Sequence, residues 1–220
     1  MTSQHDVDDL PVDEDPGLPP STDYAGFFDR TLRWLLPLTG VVGLVAAFTL
    51  TVEKIALIAD PDYVPTCSIS PVLSCGSIMS TEQAELFGFP NPLIGLVAFA
   101  VLITSGVVLA TGARLPRWYW LGLQVGATLG LVFVAWLVEE SLYDIGALCP
   151  YCMVVWAVVI PAFWYVTLAN LTSGRLGRRV ADSRAVGVLA ENHAVVLMGL
   201  YLVVVVLVLQ RFWGYWVSLV

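Results

Sequence analysis

Five long apolar runs, separated by short polar stretches, set the rhythm of this chain. Residues 34–52 form the first. At a rise of 1.5 Å per residue the run covers about 28 Å, close to the hydrocarbon thickness of a bilayer. Its helix can continue through residues 55–59 until Asp60-Pro61 stops it. Residues 93–111, 118–138, 149–171 and 194–209 follow, with Gln124 the main polar interruption in the third. No charged residue falls between Met153 and Leu168. The pattern predicts an all-α membrane protein with five transmembrane helices.

The connections differ in character. Residues 1–29 are rich in Asp, Pro, Ser and Thr and predict a disordered acidic tail. They lack the basic start and early apolar core of a signal peptide. The connection 53–92 is the longest between spans and carries Cys67, Cys75 and several prolines. Within it, Ser80-Thr81-Glu82-Gln83 reads as a capping box and Gly88 as a helix stop. That predicts a short helix near the membrane surface, with Ile78, Met79, Leu86 and Phe87 facing inward. Arg114-Leu115-Pro116-Arg117 is a tight basic turn, residues 139–147 a short acidic loop, and residues 172–192 a basic loop. Phe212, Trp213, Tyr215 and Trp216 form an aromatic belt beyond the fifth span, in residues 193–220.

Composition agrees. Of 220 residues, 58% are hydrophobic and 13% charged, which excludes a water-soluble globule. The net charge of -8 belongs to the tail, since Asp6, Asp8, Asp9, Asp13, Glu14, Asp15, Asp23 and Asp29 all precede the first span. Arg30, Arg33, Arg114, Arg117, Arg175, Arg178, Arg179 and Arg184 fall on one side of a five-span topology, against Lys54 and Arg211 on the other. The positive-inside rule then predicts a multi-pass protein of the plasma (inner) membrane with a cytoplasmic N-terminus. All four cysteines fall outside, where disulfides persist.

Those cysteines form two close pairs, Cys67/Cys75 and Cys149/Cys152. Cys149-Pro150-Tyr151-Cys152 opens a membrane-deep helix rather than lying near a βαβ pattern, so a soluble thioredoxin-like domain is not indicated. Cys149 suits the N-cap and Pro150 the first helical position. Orphan amides there lower a thiol pKa. Two pairs at one membrane face suit a thiol–disulfide relay. Two inert disulfides in a membrane structural or transport subunit are the alternative, with Cys67–Cys75 readily a loop staple. A transport pathway calls for intramembrane charges, and these spans carry almost none. A zinc site on four thiolates fits none of the common spacings.

Four pieces stand in order: Cys67-Ser-Ile-Ser-Pro-Val-Leu-Ser-Cys75, Ser80-Thr81, Phe87-Gly88-Phe89-Pro90-Asn91-Pro92-Leu93-Ile94-Gly95 and Cys149-Pro-Tyr-Cys152. In that order and placement they resemble the vitamin K epoxide reductase family. The resemblance implies a four-helix catalytic core in residues 30–171 around a quinone, menaquinone or ubiquinone, with the fifth helix and the tail outside that core. It implies that Cys67 exchanges with a DsbA-like thioredoxin-fold protein, that Cys75 attacks Cys149, and that Cys152 reduces the quinone. Disulfide formation in exported proteins is the implied outcome. Asn91 matches the asparagine that hydrogen-bonds the quinone, and Trp156 stands where the family often has a tyrosine. Ser80, Thr81 and Glu53 are further candidate contacts. For Glu53 the plainer expectation is an interfacial acid solvated beside Lys54. Glu139, Glu140 and Asp144 are expected as a solvated acidic loop, Gln124 as a bond within the bundle, and His193 as structural.

Overall fold

The structure is a computed structural model that describes residues 21–217. Five of its helices are long and apolar enough to cross a membrane. In chain order the elements are α1 (Ser21–Ala59), α2 (Cys75–Met79), a 3₁₀ turn (Glu82–Glu85), α3 (Pro92–Ala110) and α4 (Arg117–Glu139). A wide π turn (Glu140–Ile145) leads to α5 (Pro150–Thr172), then α6 (Arg178–Ala181), α7 (Arg184–Glu191), α8 (His193–Arg211) and α9 (Trp213–Val217).

Helix α1 begins inside the stretch expected as a disordered tail; residues 1–20 of that expectation lie outside the described residues. The reason is periodicity. Phe28, Leu32 and Leu36 recur every four residues and all three are completely buried, so an apolar stripe outweighs the polar composition around it. Phe28 meets the rings of Tyr165 and His193 at 5.9 and 5.6 Å. The His193 carbonyl accepts from the Trp164 indole at 2.9 Å. The acidic loop after the third span is also helical. The chain winds through the π turn and leaves it at Gly146, whose φ of 68° is left-handed. The basic loop holds α6 and α7; Ser183 caps α7 by accepting from Val186 N–H, and Val186 and Ala190 are buried.

Around the bundle, α1 packs between α3 and α5, and α4 packs on α5. Helix α8 lies outside, against α5 and the π turn. Helices α3 and α4 scarcely touch, despite the short turn joining them. Near that turn the Ser105 and Tyr119 hydroxyls lie 2.7 Å apart. The bundle is therefore open along one seam. On its opposite side α1 and α3 approach very closely. A Cβ on Gly106 would lie 2.2 Å from the Pro37 ring, and one on Gly43 would lie 2.2 Å from Phe99. Without side chains there, the two backbones can close up, which is how membrane helices gain dispersion contact.

The end of the bundle away from the cysteines is fastened by polar groups. Gln124 does bond within the bundle, donating to Thr167 and accepting from Asn170. Arg175 pairs with Asp29 at 3.1 Å and lies 3.9 Å over the Trp120 ring. The aromatic belt needs one correction. Phe212 is buried, packed with Val138, Leu142, Leu148 and Trp156, while Trp213 is exposed.

Gly106→Leu should destabilise the protein by about 1–3 kcal/mol or more through overpacking at Pro37. Gly126→Leu on α4 should cost little, because a Cβ there meets nothing within 4 Å. Thermal unfolding of both variants in detergent, beside the unaltered protein, measures the contrast.

Candidate active site

The head of α5 is built by its own first residues. Cys149 is the N-cap, in extended backbone, and its sulfur accepts from Cys152 N–H at 3.4 Å. Pro150 follows at N1, where its missing donor is not needed. The sulfur that draws on the helix N-terminus is thus that of Cys149. Its thiol is held below the ordinary range, first by the Cys152 thiol hydrogen-bonded to it and then by the Tyr151 and Cys152 amides, against the opposing effect of burial.

The loop brings the other pair to the same place. Cys67 and Cys75 are joined in a disulfide, with Cα atoms 5.6 Å apart. Cys149 and Cys152 are not bonded to each other. A short parallel bridge between Leu73 and Leu148 sets the register. Ser74 N–H donates to Leu148 O at 2.9 Å, and Leu148 N–H to Val72 O at 2.7 Å. One or two residues further on, Cys75 Sγ lies 3.0 Å from Cys149 Sγ. That is within reacting distance for a thiol and a disulfide sulfur. The Cys67, Cys75 and Cys149 sulfurs all lie within 4.8 Å of one another, but two of them are already spent on a bond.

Beneath the sulfurs lies a cavity of about 500 Å³, bounded by α1, α3, α4, α5 and the loop. Cys149, Cys152, Asn91, Trp156 and Lys54 line its head. Along α4 it is bounded by Gly122, Gly126 and Gly130, none of which would bring a Cβ into close contact. These glycines leave room, whereas those of α1 and α3 close a gap. The size and the almost wholly apolar wall suit a bulky apolar ligand.

The predicted contacts divide. Asn91 and Trp156 reach the cavity. Asn91 also ties the loop, donating from Nδ2 to Gln83 O at 2.6 Å and accepting Leu86 N–H at 3.2 Å. One N–H and one lone pair of its amide remain. Ser80, Thr81 and Glu53 are not among the lining residues. Ser80 ends α2 by bonding Gly76 O, and Thr81 bonds Ile78 O, so the expected capping box is instead a helix C-cap followed by a 3₁₀ turn without side-chain capping. Leu86 and Phe87 are exposed rather than inward.

Glu53 is not solvated either. Only 6% exposed, it accepts from the Tyr63 hydroxyl at 2.9 Å and from Thr66 Oγ1 and N–H, anchoring the segment that leads to Cys67. The Tyr63 phenol is held above its usual value by that bond. Asp144 accepts from Gln83 at 2.9 Å. Residues the sequence did not single out complete the site. Arg211 donates to Leu142 O at 2.6 Å, and Lys54 is buried at the cavity head. Only the cation's side-chain type was visible in the sequence; its partners lie in a distant loop.

Against known proteins, the vitamin K epoxide reductase family profile matches residues 34–167. The chain belongs to the vitamin K epoxide reductase family. The match runs from α1 through most of α5 and contains all four cysteines, leaving α6 to α9 outside. No curated protein matches the chain. Family membership makes this a membrane thiol oxidoreductase.

The lowered Cys149 thiol has a measurable sign. Lowering favours the thiolate, so alkylation of Cys149 should rise with pH through a midpoint below that of an ordinary cysteine. Cys152→Ala removes the thiol that donates to it and should move the midpoint up. Timed iodoacetamide labelling with peptide mass spectrometry reads both. An unshifted midpoint in the variant would assign the effect to the helix amides alone.

Proposed function

We propose that this protein reoxidises a thioredoxin-fold partner on the extracytoplasmic side and passes the electrons through its two cysteine pairs to a quinone. Disulfide formation in exported proteins is the result. The observation that carries this reading is the 3.0 Å approach of Cys75 to Cys149 above a cavity that Cys152 lines.

The exchange runs in balanced steps. A reduced partner dithiol attacks Cys67, leaving the partner oxidised and Cys67 and Cys75 as thiols. The Cys75 thiolate attacks the Cys149–Cys152 disulfide at Cys149, and Cys152 departs as a thiolate. Cys67 then attacks Cys75, reforming the loop disulfide and releasing Cys149. The bonding pattern of the structure, with Cys67–Cys75 joined and Cys149 and Cys152 free, corresponds to the state that follows. Menaquinone or ubiquinone, when bound, accepts two electrons and two protons. Cys149 and Cys152 close their disulfide as these leave. Asn91 has a spare donor for a carbonyl oxygen, and the apolar wall excludes water from the thiols.

Orientation follows the charge bias. The arginine-rich ends of α1, α4 and α5 face the cytoplasm, and the loop with the cysteines faces outward. Reporter fusions at Gly112 and Asp144 should report opposite sides, with Asp144 outside. A cytoplasmic Asp144 would put the thiols in a reducing compartment and defeat the scheme.

The double variant Cys67→Ala, Cys152→Ala should accumulate a Cys75–Cys149 cross-link under oxidising conditions, seen by non-reducing digestion and mass spectrometry. Cys152→Ala alone should abolish dithiothreitol-driven quinone reduction, followed by absorbance, while the helix persists because alanine is a good helix former. Activity comparable to the unaltered protein would remove Cys152 from the electron path.

A further inference from the structure

Lys54 stands near the end of α1, and its side chain is nine-tenths buried, at 10% exposure. It lines the cavity head with Cys149, Cys152 and Asn91. An ammonium in such a place is costly unless paired, and ionisable groups at membrane depth tend to be functional. Two of its three donors are engaged. One meets Met79 O at 2.6 Å, at the C-terminus of α2, and another meets Glu85 Oε1 at 2.8 Å. Among the described residues no acceptor meets the third. A purely mechanical clamp on the loop accounts for the first two donors and leaves the third, beside the cavity, without a task.

The surroundings give the pair a direction. The Glu85 side chain is 39% exposed, while that of Lys54 is enclosed. Glu53, the adjacent acid, is engaged with Tyr63 and Thr66 instead. A carboxylate–ammonium pair thus leads from the loop surface to the cavity head, where the thiols are.

We propose, building on the quinone reading above, that Lys54 is a catalytic residue for quinone reduction. Its third N–H hydrogen-bonds a quinone carbonyl oxygen and delivers a proton to it, and Glu85 is the route by which that proton is replaced from water. The balance is complete. Two thiols, Cys149 and Cys152, are oxidised to one disulfide, breaking two S–H bonds and forming one S–S bond. The electron pair reduces the quinone, and each of its oxygens gains one proton. One thiol proton passes to the second oxygen. The other is released to water at the loop, and water returns its equivalent through Glu85 and Lys54.

Two measurements test this. The first is infrared spectroscopy of 2-methyl-1,4-naphthoquinone, ¹³C-labelled at its carbonyls, bound to the fully oxidised protein in detergent. One carbonyl band should be lowered relative to the other. The lowering should vanish in Lys54→Met and persist in Lys54→Arg and Glu85→Gln. A Lys54→Met spectrum identical to that of the unaltered protein would overturn the contact. The second is dithiothreitol-driven reduction of the same quinone. Removing a general acid typically costs about 100-fold or more, so Lys54→Met should be slowed to that extent. Lys54→Arg should be slowed as well, because a guanidinium keeps the charge and the clamp but does not release its proton. Full activity in Lys54→Arg would overturn the proton transfer, and full activity in Glu85→Gln would overturn the route. If the unaltered protein shows no bound carbonyl bands, the quinone reading falls too, a result distinct from bound bands indifferent to Lys54.

Discussion

The parallel bridge between Leu73 and Leu148 is the constraint on which the site depends. Two backbone hydrogen bonds fix a loop to the threshold of α5, and the sulfurs just beyond them meet at 3.0 Å. Each bond is worth only about 1 kcal/mol net, and together they hold this register. The remaining anchors serve the same end. Glu53 holds the segment before Cys67, Asn91 ties the turn after the 3₁₀ element, and Arg211 fastens the π turn from α8. The loop is held at several points along its length, as the proposed exchange between sulfurs on separate segments demands.

Glycine serves two opposite purposes in the bundle. On α1 and α3 it lets backbones close until side-chain atoms of the neighbour occupy the space a Cβ would need. On α4 the same residue at four-residue spacing faces open volume. The residue type alone does not distinguish the two uses; the position of the neighbouring helix does. The open seam between α3 and α4 is the geometric result, since α4 turns its narrow face toward a helix it scarcely meets.

This contrast explains what could be read from the chain itself. The five spans and the N-cap of α5 were legible, because hydrophobic run length and the Cys149-Pro150 pair act locally. The family, too, was legible from short motifs in order. The start of α1 is not legible from composition, because the buried Phe28, Leu32, Leu36 stripe is short and set among polar residues. Ser80 and Thr81 are ambiguous in sequence, because a capping-box pattern and a C-cap followed by a tight turn share residue types. Glu53 and Lys54 look like an interfacial pair, and their burial follows from a loop that folds back over them. Lys54 meets Met79 across 25 positions, a distance no local pattern spans.

The seam between α3 and α4 also decides which solution the cavity samples. Its open side lies between two helices whose outer faces are clad in exposed apolar side chains such as Val97, Val101, Val125 and Leu129. On the proposed reading, a quinone arriving there comes sideways through the leaflet. Its effective concentration is then its mole fraction among lipids, set by the area of membrane, and the volume of water around the cell does not enter. The thiol side, on the same reading, answers to ordinary aqueous concentration. On the proposed reading, one catalyst joins a two-dimensional pool to a three-dimensional one, and diluting the membrane with inert lipid would slow only one half of its cycle.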